Sequence, residues 1–559
     1  MDIKNNIKIK AKISRYLDLT LLLLSIFINK DSFSQDGLSL EWVAVYSGPF
    51  SVEYVKDIVV DQLENVYITT SSFDTTTGDD YELIKYDLNG SEQWSVRFAG
   101  PGLSWDQPTD LALDIASNIY VTGKSEAFGA GYDILTFKFD SCGSEKWRAT
   151  FNGPANGNDS GVEIAVDDSG NVYLAGITGI LDSIQYQINC VILKYNSQGD
   201  ELWRVFYPGQ PTQLILSDSG NVILTGYIYS DSTNFDYITI KYNLHGDLKW
   251  ANHFNNIGND DDCATHVVVD DSENVYVTGF SSRPQFTYED ITTIKYDRHG
   301  YQKWITQYNG SLNFDDFPCG ITIDQAGYIY VSGTTSLSTF NDYFVVIKYN
   351  QHGVQKWINF YNGPSDTYGT AREMLIDSKA NIFVLGSVRP YYTGNEDLAL
   401  VKFDSSGIQR AATTYSSYPN TRDFAVAVGL DQLDNIYVTS YGENQDSGWA
   451  KSFTLKYNQL SSDILNNQFQ ISDSPILYQN YPNPFNSFTT IQYFIPFSGH
   501  VTLKIFNILG QEIYTLVDKI QSAGQYILSW NCTNISSGVY LYSLEWNNHS
   551  HIRKLLILK

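Results

Sequence analysis

Short runs of alternating apolar and polar residues, bounded by Asp, Asn and Gly turns, recur from residue 42 to residue 458. One copy reads Val267-Val268-Val269-Asp270-Asp271-Ser272-Glu273-Asn274-Val275-Tyr276-Val277-Thr278-Gly279, in which two β-rich runs flank a polar turn ending in Asn. Behind each such hairpin stands a Lys-aromatic pair, at Lys85-Tyr86, Lys138-Phe139, Lys194-Tyr195, Lys241-Tyr242, Lys295-Tyr296, Lys348-Tyr349, Lys402-Phe403 and Lys456-Tyr457. A second turn follows, as in Asp87-Leu88-Asn89-Gly90, and then in most copies a Trp that opens a further strand. Four strands per unit of about 50 residues make a sheet that cannot cover both its faces alone and must stack on its neighbours.

The Trp strands begin at Trp42, Trp94, Trp147, Trp203, Trp250, Trp304 and Trp357, with Ala411 in the eighth equivalent place. The first precedes any hairpin, and the last unit ends at Phe453 to Asn458 without a Trp strand of its own. Pairing of Glu41 to Ser47 with Phe453 to Tyr457 would close the ring and remove the exposed edges at the join. The predicted fold is all-β: an eight-bladed β-propeller over residues 35–458, closed by the N-terminal strand. A polar stretch, 459–473, reads as a linker. Six short strands then follow within 474–559 (Thr490–Phe494, Val501–Phe506, Glu512–Val517, Tyr526–Trp530, Val539–Leu544 and Arg553–Leu558), the pattern of a small Ig-like β-sandwich.

Composition adds an address. Residues 1–34 have a basic stretch through Arg15, an apolar segment from Leu19 to Ile28, and the small residues Ser32 and Ser34, which predict a secretory signal peptide cleaved after Ser34. Its apolar run is about 10 residues, against roughly 20 for a bilayer span. No transmembrane span is expected after signal removal. Acidic residues outnumber basic ones 62 to 36, so the sequence offers no phosphate-tracking surface and no nucleic-acid partner is expected. The five cysteines, Cys142, Cys190, Cys263, Cys319 and Cys532, are odd in number and widely spaced; they read as small, mostly buried side chains, with Cys263 and Cys319 the one pair worth testing.

Residues 42–458 resemble the bacterial β-propeller repeat family SBBP, through runs such as Asn171-Val172-Tyr173-Leu174-Ala175-Gly176 followed by Lys-aromatic-Asp and a Gly turn. That resemblance implies seven blades, whereas the repeat count is eight. The stretch Tyr86 to Trp94 is also similar to the tryptophan-docking motif of eight-bladed quinoprotein dehydrogenases, which implies packing between blades. The C-terminal segment resembles the sorting domain of type IX secretion substrates of Bacteroidetes and related phyla. The matching blocks are Tyr481-Pro482-Asn483-Pro484-Phe485-Asn486, Ile505 to Glu512 with Gly510, Ala523-Gly524, Trp530, Ser537-Gly538-Val539-Tyr540, and Lys554 to Lys559. This resemblance implies export through the periplasm, recognition of residues 474–559 by the type IX translocon, and a secreted or outer-cell-surface protein. Ser487 stands where that family often has Pro.

Chemistry is less explicit. Glu53, Asp106, Asp159, Asp262, Asp316 and Asp423 occupy one repeat position, eight residues before each hairpin turn, with Gly209 and Gly369 in the other two copies. They form a candidate acidic ring around the mouth of a central channel, on the face that carries the variable loops. An Asp before a strand also commonly accepts hydrogen bonds from its own loop. The repeated Lys is expected to pair with an Asp five residues upstream (Asp80, Asp133, Asp236, Asp290, Asp397). His245, His299 and His352 read as turn residues. No catalytic, cofactor-binding or metal-ligating residue is assigned, since GxSxG, HExxH, P-loop and dinucleotide patterns do not occur. No cofactor is required, and a divalent cation such as Ca2+ is compatible with the acidic ring. The reading is a non-catalytic binding or scaffold module for a glycan or protein ligand. The competing classes are a secreted polysaccharide hydrolase or lyase, or a quinoprotein-like enzyme, using the loop face.

Overall fold

The computed structural model describes residues 37–558, except 47–52, 101–104, 128–130, 181–186, 259, 284–285, 339–340, 364–366, 391–394, 418–420, 445–449, 460–475, 478–479, 481–482, 484, 487, 496–498, 522–523, 533–534 and 547–548. The signal peptide 1–34 lies outside the described residues, as does all of the expected linker beyond Gln459. The chain divides into two compact units, residues 1–460 and 461–559. All regular structure among the described residues is β.

The first unit contains seven four-stranded antiparallel sheets built from consecutive strands, spanning 53–98, 107–151, 159–208, 210–254, 262–308, 316–361 and 367–415. An eighth sheet takes three strands from 421–459 and its fourth, Leu38–Tyr46, from the N-terminal end. Leu38 lies opposite Gln459, Trp42 opposite Lys456 and Tyr46 opposite Ser452. Gln459 is therefore the last residue of a strand, Ala450–Gln459, and not the first of a linker. The first strand of each sheet packs against that of the next, and Thr421–Leu430 of the last packs against Glu53–Val60 of the first.

Each sheet is half-covered until its neighbour arrives. Buried Val, Ile, Leu and Tyr from adjacent sheets form shared clusters, such as Tyr67, Tyr81 and Leu83 with Leu111, Val121 and Phe137. The seam is pinned by an indole. Trp94 Nε1 donates to Ser141 O of the following sheet at 3.3 Å, and Trp42, Trp147, Trp203, Trp250, Trp304 and Trp357 donate in the same way to Leu88, Ser197, Leu244, Arg298, Gln351 and Ser405.

Glycine makes that approach possible. Gly300 has φ +86°, and a Cβ there would lie 2.8 Å from the Trp250 ring; at Gly90 the corresponding distance to Trp42 is 2.6 Å. Only a residue without Cβ fits both the backbone and the ring. Ala411 breaks the series for a topological reason. The turn its side chain would meet joins the third and fourth strands of the next sheet, and in the eighth sheet those strands are Ala450–Gln459 and Leu38–Tyr46, which no turn connects.

The repeated lysines follow the same direction. Lys85, Lys138, Lys194, Lys295 and Lys348 donate to the very carbonyls that accept from the indoles. Lys402 donates to Gln459 Oε1, Lys241 pairs with Glu273, and Lys456 pairs with Glu41 and Glu64. The expected pairing with an Asp five residues upstream does not occur, because five residues along a strand span about 17 Å and point to the opposite face. Six of the eight Nζ atoms instead lie near a tyrosine ring, 4.5 Å from the Tyr173 centroid for Lys194, and Lys402 lies over Phe383.

Seven of the eight hairpin turns are Asx turns, and Ser217 takes the place of the Asp in the other. Asp270 Oδ1 accepts from the amides of Ser272 and Asn274, and its Oδ2 accepts from Asn274 Nδ2 and Tyr276 OH. His245, His299 and His352 lie in the second turns, their amides donating to Asn243, Asp297 and Asn350. All five cysteines are free thiols; four are buried, in keeping with a mostly buried set, and Cys142 is exposed because it occupies such a turn.

In the second unit, a three-stranded sheet with Phe488–Ile495 at its centre and a four-stranded sheet containing Gly499–Asn507 share one core of Ile491, Tyr493, Trp530, Leu503, Tyr542 and Leu555. All six expected strands are present, and a short seventh, Ile476–Leu477, precedes them. Replacing Trp42 by Ala should cost about 3 to 5 kcal/mol in urea unfolding. A cycle with Gly90→Ala should be non-additive, because both changes act on one contact; additive losses would contradict it.

Candidate functional site

Five of the six mouth carboxylates of the sequence reading are engaged locally. Asp106 Oδ2 accepts from Gly100 N at 2.6 Å, Asp262 from Asn256 N at 2.6 Å, Asp316 from Gly310 N at 2.6 Å and Asp423 from Ser417 N at 2.8 Å; Asp159 accepts from Gly153 N. Glu53 stands at the same place, opening the strand Glu53–Val60. Asp106, Asp159, Asp262, Asp316 and Asp423 are buried. Burial raises the pKa of all five, to about 7 for Asp262 and about 6 for Asp316 and Asp423.

A second ring position lies four residues further on. In every first strand a β-bulge falls at one place, between Val55 and Asp57 in the first sheet and between Ala371 and Glu373 in the seventh. The position after it holds Asp57, Asp110, Glu163, Gln213, His266, Gly320, Glu373 and Ala427 around the eight sheets. Several of these side chains clasp the next sheet: Leu111 N donates to Asp57, Ile164 N to Asp110, Val267 N to Gln213 and Val428 N to Glu373, at 2.7 to 3.2 Å.

The carboxylates crowd one another. Asp57 and Asp110 are hydrogen-bonded neighbours with raised pKa values, through burial first and, for Asp110, through the charge of Glu163. Burial, then Asp57, brings Glu163 and Glu373 to about 8, and burial lowers His266 to about 4. This position escaped the sequence reading although four of eight repeats carry an acid there. A bulge shifts the alternation by one residue and so conceals which side chain turns inward.

Above this ring, where the long loops gather, aromatic and charged groups meet. Tyr54 packs edge-on against Tyr441 with centroids 5.2 Å apart, and Phe424 stacks on Tyr441 at 5.0 Å. Glu443 accepts a hydrogen bond from Tyr54. Lys56 is kept less basic than usual by burial first, then by the nearby charges of Lys124 and Arg372, while Asp79 opposes them. Among the described residues, no three His, Cys, Asp or Glu side chains converge as metal ligands.

In the C-terminal unit the described part of the sorting motif is stitched to the last strand. Asn483 Oδ1 accepts from Leu556 N at 2.8 Å, and Phe485 exchanges backbone bonds with Leu556 and Leu558. Tyr481, Pro482 and Pro484 lie outside the described residues; Asn486 is at the surface. Gly510, at φ +78°, closes a turn capped by Asn507, Gly538 opens the strand that holds Tyr540, and Lys554 lies in the final strand.

A carboxyl with a raised folded pKa favours folding while it is protonated. For Glu163 and Glu373 that contribution is complete below about pH 4.5 and is lost as pH rises through about 8. Urea unfolding should therefore show stability falling across this window, and Glu163→Gln with Glu373→Gln should flatten the slope; an unchanged slope would contradict the ring's role.

Residues 479–558 match the model of the secretion system C-terminal sorting domain, and residues 93–127 and 303–338 match the model of the β-propeller repeat SBBP. No curated protein matches the sequence. Similar solved structures include the β-propeller domain of the Trilobed protease from Pyrococcus furiosus, 7% identical with a TM-score of 0.37 over 74% of this chain and 97% of that chain. The WD40 domain of SCAP from fission yeast is 10% identical, with a TM-score of 0.41 over 76% and 98%. A polysaccharide lyase, an ulvanlyase, is 10% identical, with a TM-score of 0.39 over 74% and 95%. The chain thus carries bacterial β-propeller repeats followed by a type IX secretion C-terminal sorting domain, and is a secreted or outer-cell-surface protein.

Proposed function

We propose that the eight sheets close as an eight-bladed propeller through Leu38–Tyr46, and that the closed disc is a non-catalytic binding module for a glycan or protein ligand, carried out of the cell by an immunoglobulin-like sorting sandwich. The domain reading is a leader over 1–34, the propeller to Gln459, a linker to 473 and the sorting unit from 474. Closure is supported by Trp42 and Lys456, which belong to the eighth sheet and bond to Leu88 and Glu64 of the first.

The observation that carries the ligand class is the wall of Tyr54, Phe424 and Tyr441 at the loop-bearing end, bordered by Lys56, Arg372 and Glu443. Aromatic faces stack on the apolar faces of sugar rings, and charges of both signs around them accept and donate to hydroxyls. A surface of this kind favours a glycan over an apolar peptide. The mouth acids enter this reading as supports that hold their loops, and the acidic-ring alternative remains a ligand-attracting field.

One observation favours an enzyme instead. Asp57 and Asp110 form a hydrogen-bonded carboxyl pair that can share a proton for acid–base work, nearer together than the two carboxyls of a glycosidase, although both are already occupied by backbone amides of the next sheet.

A glycan and protein array probed with the exported chain tests the proposal. Tyr54→Ala with Tyr441→Ala should lower binding at least tenfold, and Asp106, Asp159 and Asp316 changed to Asn should leave it unchanged. Loss of binding in the triple Asn variant alone would favour the acidic ring. Release of shortened saccharide that disappears in Asp57→Asn would favour the enzyme. For export, deleting residues 474–559 should leave the protein in the periplasm on fractionation; normal secretion of the truncation would contradict the role of the sorting unit.

A further inference from the structure

The aromatic wall at the loop-bearing end continues to both sides. Trp105 stands one residue before Asp106 in the second sheet, and Tyr368 occupies the same place, before Gly369, in the seventh. Their relative exposures are 56% and 38%. Phe424 and Tyr441 lie on the eighth sheet and Tyr54 on the first, so four consecutive sheets, the seventh, eighth, first and second, present aromatic rings around the mouth position. In the place of Trp105 and Tyr368 the third sheet has Asn158, and the fifth and sixth have Asp261 and Asp315.

Basic side chains follow the same arc. The residue inside the β-bulge of the first strand is Lys56 in the first sheet and Arg372 in the seventh. The other six copies have Thr109, Val162, Thr212, Thr265, Cys319 and Val426, none of them charged. Lys56 and Arg372 therefore flank the eighth sheet, which carries Phe424 and Tyr441. Lys124 lies opposite Gln107 in the second sheet, and Arg389 lies over the Tyr368 ring at 5.3 Å.

Among the described residues, neither the Lys56 nor the Arg372 side chain has a hydrogen-bond or ion-pair partner. Lys56 meets like charge instead: burial first, then Lys124 and Arg372, hold it below the ordinary lysine range, with Asp79 opposing. The acids nearby are engaged elsewhere, Asp79 by Gln107 Nε2 at 3.3 Å and Glu443 by Tyr54. Glu373, beside Arg372, is raised to about 8 by burial first and so retains its proton at neutral pH. In a chain with 62 acidic and 36 basic residues, unpaired cations gathered at one place are an unfavourable arrangement that a bound anion would relieve.

We infer that this arc binds an acidic polysaccharide, a chain of uronate or sulfated sugars, with sugar faces on Tyr54, Tyr441, Trp105 and Tyr368 and acid groups on Lys56 and Arg372. The inference rests on the glycan reading of the same end and narrows it. Carboxylate and sulfate share the feature that an ammonium and a guanidinium recognise, anionic oxygens that accept charge-assisted hydrogen bonds. The rings hold the sugars, and the cations on either side of the eighth sheet select those that carry charge. Rings spread over four sheets suit several units of one chain better than a single terminal sugar. On the fifth and sixth sheets burial first, then Asp315 and Asp261, raise Glu289 to about 7, and that acidic sector repels the same chain.

The test is the affinity of the exported chain for polygalacturonate and dextran sulfate, beside methyl-esterified polygalacturonate, dextran and poly-glutamate. An anionic saccharide should bind about tenfold or more tightly than its neutral counterpart and than poly-glutamate. Its affinity should fall as NaCl is raised to about 0.5 M. Lys56→Gln with Arg372→Gln should abolish the preference and leave any binding of the neutral chains unchanged. Binding of polygalacturonate alone assigns a carboxylate, and of dextran sulfate alone a sulfate ester. Anionic and neutral chains held equally, or a preference that the double Gln variant keeps, would overturn this inference and leave the glycan reading standing. Equal binding of poly-glutamate would reduce the arc to charge attraction and overturn it too, and binding of no saccharide would overturn both readings. Should the Gln variant fail to fold, the salt dependence and the esterified control decide.

Discussion

Seven indole rings lie on the glycine turns of the sheets that follow them, and the rest of the first unit depends on that contact. A four-stranded sheet of this size buries one face at most, so isolated units would not persist. The indole provides a large apolar face, one N–H for a turn carbonyl, and a wedge whose depth is set by the absent Cβ of glycine. At five of these seams the lysine beside it donates to the same carbonyl, so position, charge and hydrogen bonding are fixed together there. Where the following turn is missing, the indole is missing too, as Ala411 shows.

The inner face has different physics. Bulged first strands bring acids inward at low exposure to water, and their charge is managed by accepting amides from the next sheet and by retaining protons. At the first seam a buried acid is met by a third route, the guanidinium of Arg97 donating to Asp80. The repeat copies its scaffold faithfully and varies its charge compensation. Function is therefore sought at the loop-bearing end, where Tyr54, Phe424 and Tyr441 have no counterparts at most of the equivalent positions.

Much of this was legible before any coordinates. The period of the Lys-aromatic pairs, the stray Trp42 strand and the unit lacking a Trp are enough to predict the pairing of Glu41–Ser47 with Phe453–Tyr457, because they depend on counting and on strand chemistry; the strands that pair are Leu38–Tyr46 and Ala450–Gln459. The sorting module was equally legible, since its turn glycines and the Asn483 and Phe485 block are local in sequence. The partners of the lysines were not: Lys85 and Asp80 are near in sequence but on opposite faces, while Ser141 lies 56 residues away and in contact. Asp57, Asp110, Glu163 and Glu373 were hidden by a bulge, and the aromatic wall by the meeting of the first and last sheets, which brings Tyr54 to Tyr441.

The central claim is that an N-terminal strand completes the last sheet and joins it to the first. Native-state hydrogen exchange measures this most directly. The account predicts that the hydrogen-bonded amides of Leu38–Tyr46 and of Phe453–Gln459 are protected as strongly as those of the equivalent Trp strand Glu92–Phe98. Rapid exchange confined to Leu38–Tyr46 and its partners, with the other seven sheets protected, would contradict it.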